Sequence, residues 1–166
     1  MKKILVALNY DPQAQQIAET GYALAKGLGA ELTLLHVVID PVFYSTSAYS
    51  PIMGFNGYMN LGQDIPDIEL KLENASKEFL GKVSEHLGDK NIRVLVMEGD
   101  VAECILDTAK TMSADCIVMG HQSRSWLNSI GMQNAAEKVL HESDIPVFII
   151  PIHKMQPDTA NQQEKT

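Results

Sequence analysis

Short apolar runs without polar alternation are separated by segments of helical periodicity, and this alternation constrains the fold more than any other feature of the chain. ILVAL (4–8), ELTLLHVV (31–38), IRVLVM (92–97), DCIVMG (115–120) and PVFIIP (146–151) read as strands. A strand wetted on one face would alternate, whereas near-continuous apolar runs point to burial on both faces. Between the first two runs, Ile17, Gly21, Leu24 and Leu28 fall at spacings of four, three and four, one face of a helix over 13–28 that Gly29 stops. Leu72, Ala75, Phe79, Val83 and Leu87 mark a long amphipathic helix over 67–87, ended by Gly88. A third helix over 101–112 runs through Ile105, Ala109 and Met112, and AAEKVLHE forms a fourth. Five strands joined by four connections, most of them helical, predict an α/β fold: a five-stranded parallel sheet, doubly wound, with helices on both faces.

The boundaries follow from composition. Residues 1–152 read as a single domain, long enough to bury a core. The tail at 153–166, HKMQPDTANQQEKT, has too few apolar residues to dock and is expected to be disordered. Residues 40–66 lack clear periodicity and are rich in Tyr, Ser, Gly and Pro. They read as a variable insertion packed loosely on the sheet, or alternatively as a lid or partner surface using Tyr44, Tyr49, Phe55 and Tyr58. A formal net charge of −8 argues against nucleic acid as a partner, because phosphate contact needs clustered Lys and Arg. The apolar run in MKKILVALNYD stops at Leu8, too short for an export signal or a membrane span, so the expected location is cytoplasmic, with no membrane contact. Cys104 and Cys116 lack metal spacing and sit among apolar residues, which predicts two reduced, buried thiols and no metal.

ILVALNYD, LTLLHVV, MEGDVAECILDTA, ADCIVMGHQSR and AAEKVLHESDIPVFIIP occur in an order and spacing that resemble the universal stress protein family, over nearly the whole chain apart from 40–66 and the tail. The resemblance implies a Rossmann-like sheet with strand order 3-2-1-4-5 and a homodimer. Some family members hold ATP and others none. In open sheets of that order, ligands settle beyond the carboxyl ends of the strands where the order reverses, here between strands one and four. The loop GHQSRSWLNSIGMQN (120–134) opens at that point.

Nucleotide-binding members carry a glycine, two residues, a second glycine, nine residues, then Gly-Ser or Gly-Thr. The resemblance places Gly120 at the first glycine, Ser123 at the second, Gln133 at the third and Asn134 at the Ser/Thr. It also places Asn9 where the first strand commonly ends in a nucleoside-contacting Asp, and Val37 where a backbone group meets adenine. Four of these positions, Asn9, Ser123, Gln133 and Asn134, depart from the pattern. Glycine permits positive φ and close approach of backbone N–H groups to phosphate, and a side chain in a left-handed position costs about 1 kcal/mol. Asn134 also reads as an N-cap, with Glu137 completing a capping box, so the fourth helix is expected to start near it. The N–H groups around Asn134 and Ala135 would then form a weak anion site, to which Arg124 would add positive charge unless it is simply a solvated surface residue.

The five histidines, His36, His86, His121, His141 and His153, neighbour no recognisable nucleophile, and there is no GxxxxGK[ST] motif. His36 reads as a satisfied core residue. His121 enters the crevice, as a ligand contact or as a solvent-facing loop residue. Asp100 reads as an N-cap, Asp115 lies at the wrong end of the sheet for chemistry, and Trp126 reads as a packing anchor of the loop. No catalytic residue is assigned. The expected function is a non-catalytic, dimeric stress-response or regulatory module with weak or lost ATP binding and an unidentified protein partner. The alternative is a switch or slow hydrolase that uses ATP or another adenine nucleotide as its cofactor. The resemblance makes the fifth strand a sheet edge, and a second copy is its natural cover, through Val147, Ile149 and Ile152. Pro146 and Pro151 would confine pairing to the middle of that strand.

Overall fold

The computed structural model describes residues 2–10, 13–39, 65–122 and 132–152. Its elements are β1 (Lys3–Leu8), α1 (Ala14–Leu28), β2 (Glu31–Val38), α2 (Ile65–Leu87), β3 (Arg93–Glu98), α3 (Val101–Thr111), β4 (Cys116–Gln122), α4 (Met132–Glu142) and β5 (Val147–Ile152). All five strands pair in parallel in the order β3-β2-β1-β4-β5. The segment 40–64, the loop residues 123–131 and the tail beyond Ile152 lie outside the described residues.

Strand periodicity divides the core into two layers. Leu5, Ala7, Leu35, Val37, Ile117 and Met119 face α3 and α4 through Ile105, Ala109, Ala135 and Val139. Ile4, Val6, Leu8, Leu34, Val118 and Ile150 face α1 and α2 through Ile17, Ala18, Ala25 and Leu80. The two residue sets interleave along β1, as expected for a strand buried on both sides. One glycine makes this close packing possible: a Cβ at Gly21 in α1 would lie 2.6 Å from Val6 Cγ2.

The end of α1 and the start of α3 agree with their sequence signals. Gly29 adopts φ 61° and closes α1, and its N–H donates to the Lys26 carbonyl. Asp100 is the N-cap of α3, with its carboxylate accepting from the Glu103 N–H at 3.0 Å. That bond, with support from Lys138, holds the Asp100 carboxyl below the usual carboxylate range. α2 begins at Ile65, two residues before the periodic pattern, and Pro66 falls in its first turn, where a missing N–H removes no helical bond. β4 extends to Gln122 rather than stopping at Gly120. Asp115 holds the opposite end of the sheet, accepting from the Lys3 backbone N–H at 2.8 Å.

Candidate functional site at the carboxyl ends of the strands

The register assembles the site. Leu8 pairs with His36, and Ala7 pairs with Met119. Carried one and two residues further, Asn9 stands level with Val37 on one side and His121 on the other. Val37 pairs in turn with Met97, and His121 with Pro151. One row therefore crosses the sheet at its carboxyl end: Met97, Val37, Asn9, His121, Pro151. By the alternation that places Ala7, Val37 and Met119 in one core layer, Asn9 and His121 belong to the face covered by α3 and α4. Asn9 and His121 are half-buried, whereas Val37 is buried.

On the opposite face, under α2, the polar groups at the ends of β1 and β2 are paired. The buried His36 lies with Nδ1 2.8 Å from the Leu8 carbonyl oxygen. A carbonyl only accepts, so Nδ1 carries the proton. The Tyr10 ring meets the imidazole edge-on at 4.6 Å and packs against Phe79 at the same separation. The Tyr10 hydroxyl donates to Ser76 Oγ at 3.4 Å, and Ser76 donates to the Leu72 carbonyl at 2.7 Å. Burial pushes the His36 pKa below the usual imidazole value, and the hydrogen bond to Leu8 opposes that shift. His36 is thus the satisfied core histidine its strand position predicted.

On the β4 side the arrangement differs. His121 Nδ1 is buried and has no hydrogen-bond partner among the described residues. Gly120 beside it has a packing role that no local sequence signal announced: a Cβ there would collide with the Cδ1 methyls of Ile152 and Ile17. The missing side chain is occupied by the α1 layer of the core.

Ala135, buried at 3% exposure near the start of α4, belongs to the same core layer as Met119. The helix begins at Met132, so Gln133 and Asn134 lie inside its first turn, and Asn134 does not precede the helix as its cap. The backbone N–H groups of this turn have no intrahelical acceptor. Behind them, Lys138 on α4 contacts Asp100 at 3.4 Å and Glu103 at 3.1 Å, tying α4 to the start of α3. Ser123, Arg124 and Trp126 lie outside the described residues, as do Tyr44, Tyr49, Phe55, Tyr58 and His153.

Other candidates fall elsewhere. His86 is on the α1–α2 surface, 2.8 Å from Glu19. A cleft of about 290 Å³, lined by Tyr22, Lys26, Glu31, Asp89 and Asn91 among others, opens at the amino end of the sheet, away from the row. Both cysteines are unpaired but only partly buried, which corrects the expectation of full burial. Burial is the main cause raising both thiol pKa values. Among the described residues no three His, Cys, Asp or Glu side chains converge into a metal-holding group. No helix among the described residues is long and apolar enough to cross a membrane.

β5 is an edge of the sheet. Val147 and Ile149 are half-buried against the α3–α4 layer, whereas Ile152 is only 7% exposed and belongs to the opposite core layer. Ile152 is therefore a core residue of its own chain, and Phe148 is the exposed large apolar side chain of the strand, at 44%. The strand runs from Val147 to Ile152, and alternation sends Phe148, Ile150 and Ile152 to one face and Val147 and Ile149 to the other.

Residues 1–151 match the model of the Universal stress protein family. Universal stress protein A of Escherichia coli strain K12 is 22% identical over 151 residues, covering 91% of this chain and 94% of the relative. Universal stress protein UspA from Lactobacillus plantarum superposes with a TM-score of 0.64 at 19% identity, over 90% of this chain and 97% of that one. The universal stress protein from Archaeoglobus fulgidus, solved in complex with dAMP, superposes with a TM-score of 0.59 at 14% identity, over 90% and 97% of the two chains.

Proposed function

The chain belongs to the universal stress protein family, and on that premise we propose that it is a cytoplasmic, non-catalytic, dimeric regulatory module whose crevice holds adenine nucleotide weakly. The crevice is the row at the carboxyl ends of β1, β2 and β4, closed on one side by the first turn of α4. The observation that carries this reading is Gly120. It is the one position that still matches the family's phosphate-binding pattern, and its missing side chain is filled by Ile17 and Ile152. Ser123, Gln133 and Asn134 stand at the remaining positions, and side chains there restrict close approach of the backbone to a triphosphate. That a relative was solved with dAMP supports an adenine nucleotide as the ligand class.

Calorimetric titration with ATP tests the proposal. The combined change Ser123→Gly, Gln133→Gly and Asn134→Ser should strengthen binding by about tenfold, through relief of steric exclusion. Tight ATP binding by the unaltered protein, unchanged in the triple variant, would overturn the reading in favour of a nucleotide switch, and sustained phosphate release in favour of a slow hydrolase. The dimer forms through the β5 edge, with Val147 and Ile149 at its centre and Phe148 beside them. Light scattering on the calorimetry samples should give twice the chain mass, and monomer mass at micromolar concentration would exclude this assembly.

A further inference from the structure

The two edges of the sheet are finished differently. β5 carries Pro151 and exposes one large apolar side chain, Phe148. β3 exposes Val94 and Leu95 at 39% and Met97 at 42%. Leu95 and Met97 pair in register with Leu35 and Val37 and face the α3 side, whereas Val94 pairs with Leu34 and faces α2. β3 is therefore apolar on both faces, along an edge with no outer strand partner among the described residues. Native edges are guarded by Lys, Pro or a bulge, or else they are covered. RVLVME places charge only at its two ends, contains no Pro, and keeps an unbroken register with β2. Cover is the remaining solution.

The chain beside this edge supplies it. Val38 is level with Glu98, and the Gly99 N–H donates to the Val38 carbonyl at 3.0 Å, so β2 and β3 end together. Ile39 packs against the α3–α4 layer, and the chain resumes at Ile65 in α2, on the other face. Residues 40–64 thus connect the two faces beside the carboxyl end of β3. Between Asp40 and Asp64 they contain no Asp, Glu, Lys, Arg or His, in a chain of net charge −8. Within them VFYSTSAYS (42–50), bounded by Pro41 and Pro51, contains neither Gly nor Pro. Val, Thr and aromatic residues without charge compose a strand that gains by pairing. The reach agrees. Ile39, Asp40 and Pro41 can extend about 10 Å, which is also two strand spacings, from β2 across β3 to the next position. From Pro51 to Ile65 the chain can extend roughly 45 Å, ample to return along the roughly 20 Å of β3.

We propose that β3 is a docking edge whose occupant is the chain's own segment 42–50, added as an antiparallel strand. The segment starts at the carboxyl end of β3 and runs back along it, which sets the direction. Main-chain hydrogen bonds satisfy the outward groups of β3, and alternate side chains shield Val94 on one face and Leu95 and Met97 on the other. A dimer formed through β5 then has no second apolar edge through which to continue.

Amide hydrogen exchange resolved by residue tests this in the full chain. In the unaltered protein, amides within 42–50 should exchange at least about tenfold more slowly than in an unstructured chain of the same sequence, at every protein concentration. Thr46→Pro with Ser47→Pro is the first variant, because successive N–H groups point to opposite sides and one of the two must face β3. It should erase the protection and speed exchange at the outward amides of β3, whereas Met59→Pro with Asn60→Pro should leave both unchanged. Leu95→Lys should release the segment from the other side of the contact, and if that variant unfolds the segment variants decide alone. Exchange at the unstructured rate throughout 42–50 of the unaltered protein would overturn the proposal. Protection that survives Thr46→Pro with Ser47→Pro would overturn it too, by placing the segment elsewhere. Protection lost on dilution would also overturn it, assigning the edge to a second copy.

Discussion

Two histidines stand at the carboxyl end of the sheet, on either side of β1, in opposite states. His36 is bonded to Leu8, enclosed by Tyr10 and Phe79, and its pKa is lowered by burial. His121 has a buried nitrogen with no partner among the described residues. The same side chain completes the fold at one position and leaves a demand at the other. Under α2 the polar groups of β1 and β2 are paired by the protein alone, whereas on the α3–α4 face His121 Nδ1 is unpaired among the described residues. Proximity to the switch point is therefore a poor guide to function. The informative property is whether the polar atoms at that point are already paired.

The most direct way to break this comparison is His36→Ala. It leaves the Leu8 carbonyl without its donor and opens a cavity between Tyr10 and Phe79, so stability should fall by about 2–4 kcal/mol in urea unfolding. A cost below about 1 kcal/mol would show that the hydrogen bond and packing of His36 do not hold this part of the core.

Acidification probes the same contrast more gently. The His36 pKa is lowered in the folded protein, so near its titration the unfolded chain binds more protons. Stability from this group is complete above the ordinary imidazole pKa of about 6.5 and is lost as pH falls from there through the folded pKa. Urea midpoints for the unaltered protein should decline over that window, and the decline should shrink in His36→Ala. An identical decline in both would place its origin elsewhere.

The smallest effect is expected at Lys138, which links α3 to α4 behind the open half of the crevice. Its partners Asp100 and Glu103 are mostly exposed, at 54% and 67%, so solvent screens the pairs. Lys138→Met should change stability by less than about 1 kcal/mol. A larger loss, measured by chemical denaturation, would show that the β4 half is held more firmly than its hydrogen bonds indicate.

Much of the frame was legible because it rests on local patterns. Apolar runs at 4–8 and 31–38 reported strands buried on both faces, and His36 within such a run was read as core. Gly29 and Asp100 mark helix ends through chemistry acting within a few residues. What escaped depends on distant partners. Gly120 resembled a phosphate-loop glycine, and only the convergence of Ile17 from α1 and Ile152 from β5 gives it a packing role. Ile152 was grouped with Val147 and Ile149, yet an odd spacing of three from Ile149 puts it on the opposite face of the strand. His121 follows a glycine and precedes polar residues, and nothing in that composition shows that β4 continues to Gln122. The loop at 123–131 and the segment at 40–64 hold expectations that lie outside the described residues.

Tyr10 gives the crevice a lever. It follows Asn9 directly, yet its ring lies against Phe79 and its hydroxyl reaches Ser76, both on α2. The end of β1 and the middle of a 23-residue helix are thus fastened at one point. A displacement of Asn9 by an occupant would turn the Tyr10 ring, and α2 would have to follow or give up that contact. By the rise of a helix, the 14 residues from Phe79 back to Ile65 span about 21 Å. A small rotation at the ring would then become a larger sweep at the far end of the rod, where the chain enters from 40–64.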